Sequence, residues 1–100
     1  MPNLKVYVVQ SILEASRSAW NAILPLMRET IMGALSAPKD VCHLTIVPCL
    51  GMDDQADVLV DVHYLAMPDR TSALASSAAE EIRALVVEEM GKRPDVRMIS

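Results

Sequence analysis

One hundred residues, 52% of them hydrophobic and 22% charged, make a single folded domain and argue against a disordered chain. A formal charge of −4 without a Lys/Arg cluster, and with only Tyr7, Trp20 and Tyr64 as aromatics, argues against nucleic acid as a partner. No apolar run approaches the roughly 18 residues that cross a bilayer, and no basic stretch leads into a secretory signal, so the expected location is cytoplasmic, with no membrane contact.

The first predicted element is a strand, Asn3 to Gln10, which directly follows Pro2. Ser11 and Glu14 fit a capping box, and a helix should follow. Its stripe is Ala19, Ile23, Met27, Ile31 and Leu35, widened by Trp20, Leu24 and Ala34. Pro25 removes a backbone donor inside that pattern, so a kink or a later start near Ser16 or Ser18 is expected, with Ala37 and Pro38 ending the helix. Val41 to Val47 is β-branched and apolar, and reads as a second strand stopped by Pro48; Gly51 to Gln55 is its exit loop. Val58 to Ala66 is the third strand. Pro68 to Thr71 then bounds and caps a second helix with its stripe at Leu74, Ala78, Ile82, Leu85 and Val86, closed by Gly91, and Asp95 to Ile99 is the last strand.

The order is β-α-β twice, an α/β chain with a four-stranded mixed sheet and two helices on one face. Asp40-Val41 and Asp95-Val96 echo each other 55 residues apart, which suggests pseudo-repeats of about 2–50 and 57–100 within one domain, 1–100. By strand alternation, Leu4, Val6, Val8, Cys42, Leu44, Ile46, Val58, Val60 and Val62 face the helices. The other face carries Asn3, Lys5, Tyr7, Val9, Val41, His43, Thr45, Val47, Leu59, Asp61, His63 and Leu65. That face is neither polar nor apolar, so other copies of the chain are expected to cover it.

Several side chains bear chemistry. Once Met1 is removed, Pro2 begins the chain with a secondary amine, a candidate general base because a terminal amine titrates nearer neutrality than a lysine. Cys42 and Cys49 are spaced for neither a redox pair nor zinc and read as buried thiols. His43 and His63 lack a third ligand at helix or strand spacing, so neither a metal nor another cofactor is expected. Lys5, Asp61 and His63 read as an ionic set between subunits, the seven methionines as core filler, and Glu80 and Glu81 as a solvated helix face.

Proline after the initiator, an opening strand, a helix ending Leu35-Ser36-Ala37-Pro38 and a strand from Val41 to Val47 closed by Pro48 resemble the tautomerase superfamily. Two β-α-β units per chain are similar to its branch of macrophage migration inhibitory factor and carboxymethyl-hydroxymuconate isomerase, rather than to the one-unit 4-oxalocrotonate tautomerases. The resemblance implies a homotrimer around a central barrel, sites at subunit borders, and Pro2 as the base that interconverts keto and enol forms of a small carbonyl compound, carboxylates among them. It also marks departures. Family arginines fall at Ile12 and His43, a pocket lysine at Ala37 with Lys39 two positions on, and a tyrosine at Met98. His43, at a family arginine position, and Arg97, on the last strand where it would bind an anionic substrate or pair with an acid of a neighbouring subunit, are the candidate substrate-binding residues beside catalytic Pro2. The readings left open are a non-catalytic assembly or binding protein of the same fold, and a ferredoxin-like ligand-binding domain, because the element order alone does not separate them.

Overall fold

The computed structural model describes residues 2–100. Strand β1 (Asn3–Val9) runs directly into helix α1 (Gln10–Leu35). A short 3₁₀ turn (Lys39–Val41) then leads to β2 (His43–Cys49), followed by β3 (Val58–His63), α2 (Ser72–Met90) and β4 (Asp95–Ile99). The sheet order is β2-β1-β3-β4: β1 and β2 are parallel, β3 and β4 are parallel, and β1 and β3 join the two units antiparallel. Each helix is the crossover of one parallel unit, and the two pack together over the sheet.

The expected alternation holds where strands are central. Leu4, Val6, Val8, Val58, Val60 and Val62 are fully buried beneath Trp20, Ile23, Met27, Ile31, Ile82 and Val86. On the edge strand β2, Cys42 just before it is buried, but Leu44 and Ile46 are only half-buried, because an edge strand is covered from one side. Cys49 is half-buried, so only one of the two thiols is a core group. Of the methionines, Met27 lies in the core, whereas Met52 and Met67 are exposed.

Local boundaries depart from the expectation in two places. The capping box does not form: Val9 precedes the helix with no side-chain cap, and Ser11 is already inside it. The break expected near Ser16 does form: Ser16 is non-helical (φ −128°) and its hydroxyl donates to the Ile12 carbonyl one turn back, while Pro25 sits exposed nine residues on without breaking the helix. Pro48 lies within β2 rather than ending it. His43 N–H donates to Pro2 O, so alternate residues direct their amides at β1, and the donor that Pro48 lacks would face the free edge.

The second helix follows its signals. Thr71 Oγ1 accepts from Leu74 N–H at 3.2 Å, and Gly91 closes the last turn at φ 69°. The first helix instead closes on Ser36 at φ 51°, a left-handed position that glycine occupies at less cost. The starts of β1 and β3 are 55 residues apart and those of β2 and β4 are 52 apart, the difference arising at the 3₁₀ turn. Asp40-Val41 consequently sits in that turn, while Asp95-Val96 opens a strand. Among the described residues, no helix is long and apolar enough to cross a membrane.

Candidate active site

Pro2 is buried immediately before β1, and its carbonyl accepts the His43 amide at 3.2 Å. Asn3 pairs with His43 on one side and His63 on the other, so Pro2 and both histidines meet at one end of the sheet. Stepping one residue back along the parallel register sets Pro2 beside Cys42, on the face turned to the helices. Met1, whose removal would free the Pro2 amine, lies outside the described residues. Burial raises the Cys42 thiol above its ordinary pKa, and the nearby Arg28 guanidinium partly offsets this.

The His43 side chain is exposed on the open face, and His43 is also among the residues that line a cavity of about 340 Å³ between α1 and β2. Arg97 is placed differently. The row Thr45, Lys5, Asp61, Arg97 runs across all four strands, and the Arg97 Nε and Nη2 donate to the two Asp61 carboxylate oxygens, each at 2.7 Å. This bidentate fork holds Asp61 below the usual carboxylate range despite its burial, with Lys5 and His63 adding smaller attractions. The acid that was expected to pair with Lys5 and His63 across subunits is thus committed to Arg97 within the chain. Two strand spacings and three residues of rise separate Arg97 from Pro2, about 14 Å. Within one chain, the fold brings His43 to Pro2 but not Arg97.

Arg70, between β3 and α2, was not singled out by its sequence context. Its Nη2 donates to the Leu35 carbonyl at the end of α1 and its Nη1 to the Leu65 carbonyl beyond β3, both at 2.8 Å. The guanidinium therefore latches the end of α1, which returns toward the Pro2 end of the sheet, to the segment that leaves that end after β3, and its buried Nε has no partner among the described residues. No local pattern signals this, because both acceptors are backbone groups and one is 35 residues away. Of the positions that the resemblance marked as departures, Ala37 is buried and Ile12 and Met98 are half-buried against the core, whereas His43 is exposed. Lys39 is exposed in the 3₁₀ turn. Among the described residues, no three His, Cys, Asp or Glu side chains gather as a metal site.

No family model matches the chain, and no curated protein matches it in sequence. Solved structures do match its fold. A macrophage migration inhibitory factor-like protein from Entamoeba histolytica superposes with a TM-score of 0.76 at 10% identity, over 99% of this chain and 87% of that one. A fused 4-OT described as a symmetric trimer gives 0.69 at 19% identity, over 97% and 85%. N1, of the cis-3-chloroacrylic acid dehalogenase family, gives 0.72 at 15% identity, over 97% and 73%. With two parallel β-α-β units joined antiparallel at their first strands, and with these likenesses over nearly its whole length, the chain has the fold of the tautomerase superfamily.

Proposed function

We propose that the protein is a small tautomerase or isomerase that interconverts keto and enol forms of a carbonyl compound, with Pro2 as general base after removal of Met1. The observation that carries this reading is the position of Pro2 at the head of a central strand in this fold, beside a strand that lines a cavity. The proline amine takes a proton from the carbon or enol oxygen next to the carbonyl and returns it at the other position. A terminal amine has an ordinary pKa of about 8, and burial disfavours its charged form, which leaves more free base at neutral pH. A general base contributes about 10²–10⁴-fold.

The working form is a homotrimer. Support comes from the mixed sheet face, where Lys5, Thr45 and His63 stand exposed beside half-buried Tyr7, Val47 and Leu59, and from the trimers described for the fused 4-OT structures. The test follows ketonisation of an aryl enol-pyruvate by mature protein, with intact mass to establish the loss of Met1. Pro2→Ala is expected to lose at least about a hundredfold in rate, and equal rates would refute the assignment. The packed Ile12, Ala37 and Met98 favour a second reading, a non-catalytic assembly protein, which a trimer lacking Met1 and without turnover on enol-pyruvates would support.

A further inference from the structure

We infer that Arg70 is a positioning residue of the Pro2 centre: by tying together the two loops at the start of β1, it fixes the backbone on both sides of Pro2; this rests on Pro2 being the base. Both loops lie at that end of the sheet. The connection from α1 reaches β2 at His43, beside Asn3, while β3 ends at His63, on the other side of Asn3, and leads through Arg70 into α2. Continuing the two registers by one residue sets Cys42 and Tyr64 on either side of buried Pro2, all three on the helix-facing side of the sheet.

From the guanidinium, a backbone route leads to Pro2 along each loop. On one side Nη2 holds the Leu35 carbonyl; beyond it the Pro38 and Lys39 carbonyls accept the Val41 and Cys42 amides, and the next amide, from His43, donates to Pro2 O. On the other side Nη1 holds the Leu65 carbonyl, and the Tyr64 amide just before it donates to Ile99 O, which keeps Tyr64 in line with the sheet beyond the last pair of β3. The Arg70 amide donates to Met67 O, so the β3–α2 loop turns back on its own arginine. Among the described residues, Arg70 alone makes a side-chain hydrogen bond between the two loops.

Geometry is the main effect. A displacement of about 1 Å at a reacting group costs up to about a hundredfold in rate, so loops that shift the Pro2 ring are felt in the chemical step. Arg70→Lys keeps the charge but not the fixed fork that spans two carbonyls. The charge acts as well. The path from Pro2 through Tyr64 and Leu65 O to Nη1 sums to about 15 Å at most. At that distance a cation lowers the pKa of an amine by about 0.2–0.8 of a pH unit, for effective dielectric constants of about 80–20, and so favours the free base. Cys42 and Tyr64, with Arg28 near Cys42, share the side of the sheet that Pro2 faces, and His43 and His63 the other; substitution at Arg70 leaves all of them in place.

The test compares the mature wild type with Arg70→Lys, Arg70→Met and, as a control for lost stability, Val86→Ala, a core truncation toward the other end of α2. Well below the melting temperatures of all four, ketonisation of an aryl enol-pyruvate should lose about tenfold or more in kcat in both Arg70 variants while KM changes by less than about threefold, and Val86→Ala should keep the wild-type kcat. With the prolines isotopically labelled, nitrogen NMR at low salt should show the Pro2 amine titrating higher in Arg70→Met and unchanged in Arg70→Lys. A kcat of Arg70→Met within about twofold of wild type, or a loss matched by Val86→Ala, would overturn the positioning role. Absence of turnover in the wild type would instead remove Pro2 as the base and leave the titration to decide: an amine displaced in Arg70→Met alone keeps Arg70 coupled to Pro2, and one that does not move removes the inference as well.

Discussion

Replacing Arg70 by methionine keeps the aliphatic stem and deletes the latch between the end of α1 and the segment after β3. Two hydrogen bonds of 2.8 Å are lost. The bond to Leu35 O is partly buried, and a bond from a charged donor there is worth about 1.5–3 kcal/mol; the bond to Leu65 O is exposed and worth about 0.5–1 kcal/mol. Removing the unpartnered, buried Nε recovers about 1 kcal/mol, leaving a net loss of about 2 kcal/mol. With an unfolding entropy of about 2 cal/mol/K per residue, that lowers Tm by about 10 °C for a domain of this length. Urea melts at pH 7 measure the loss, and amide exchange should quicken in the last turn of α1 and around Leu65 while the central strands keep their relative protection. Arg70→Lys, which keeps the charge but not the fork, should fall between. A methionine variant within about 0.5 kcal/mol of wild type, or one whose exchange rises uniformly, would refute the latch.

Two further outcomes follow from the same physical reasoning. Because Arg97 lowers the pKa of Asp61 in the folded state, the stabilisation is fully present above the ordinary carboxylate value near pH 4 and fades as pH falls through the lower folded value. Urea midpoints between pH 5 and pH 2, taken as assay conditions, should therefore fall less steeply in Asp61→Asn than in wild type, and parallel curves would contradict the linkage. Ser36→Gly relieves a left-handed residue at φ 51° and should stabilise by about 0.5–1 kcal/mol in denaturant melts; a destabilised variant would show that the Ser36 side chain makes up for its backbone cost.

Much of the frame was legible in the residues themselves. Alternation in β1 and β3, the four-residue stripe from Ile23 to Leu35 and the Thr71 and Gly91 boundaries of α2 are set within single elements, by periodicity and by backbone groups a few residues away. The failures were local signals overruled by neighbours. Ser11 could not cap a helix that β1 had already entered, and Pro48 could stay in a strand because its missing donor faces a free edge.

The candidate site divides along the same line. The chain alone marked Pro2 as a candidate, through the chemistry of a proline at position two, while His43 was marked only through the family resemblance, as the position where a family arginine falls. Which charges are spoken for depends on strand register and loop closure. Arg97 meets Asp61 because β3 and β4 align 36 residues apart, Arg70 meets the Leu35 carbonyl from 35 residues away, and Arg28 faces a cavity with no acid in its wall. Composition and spacing determined the layers, the strand faces and the one unusual amine. Tertiary structure decided which arginines are held by other groups and which are not, because a guanidinium can join any acceptor that folding brings within reach, and separation along the chain does not encode that distance.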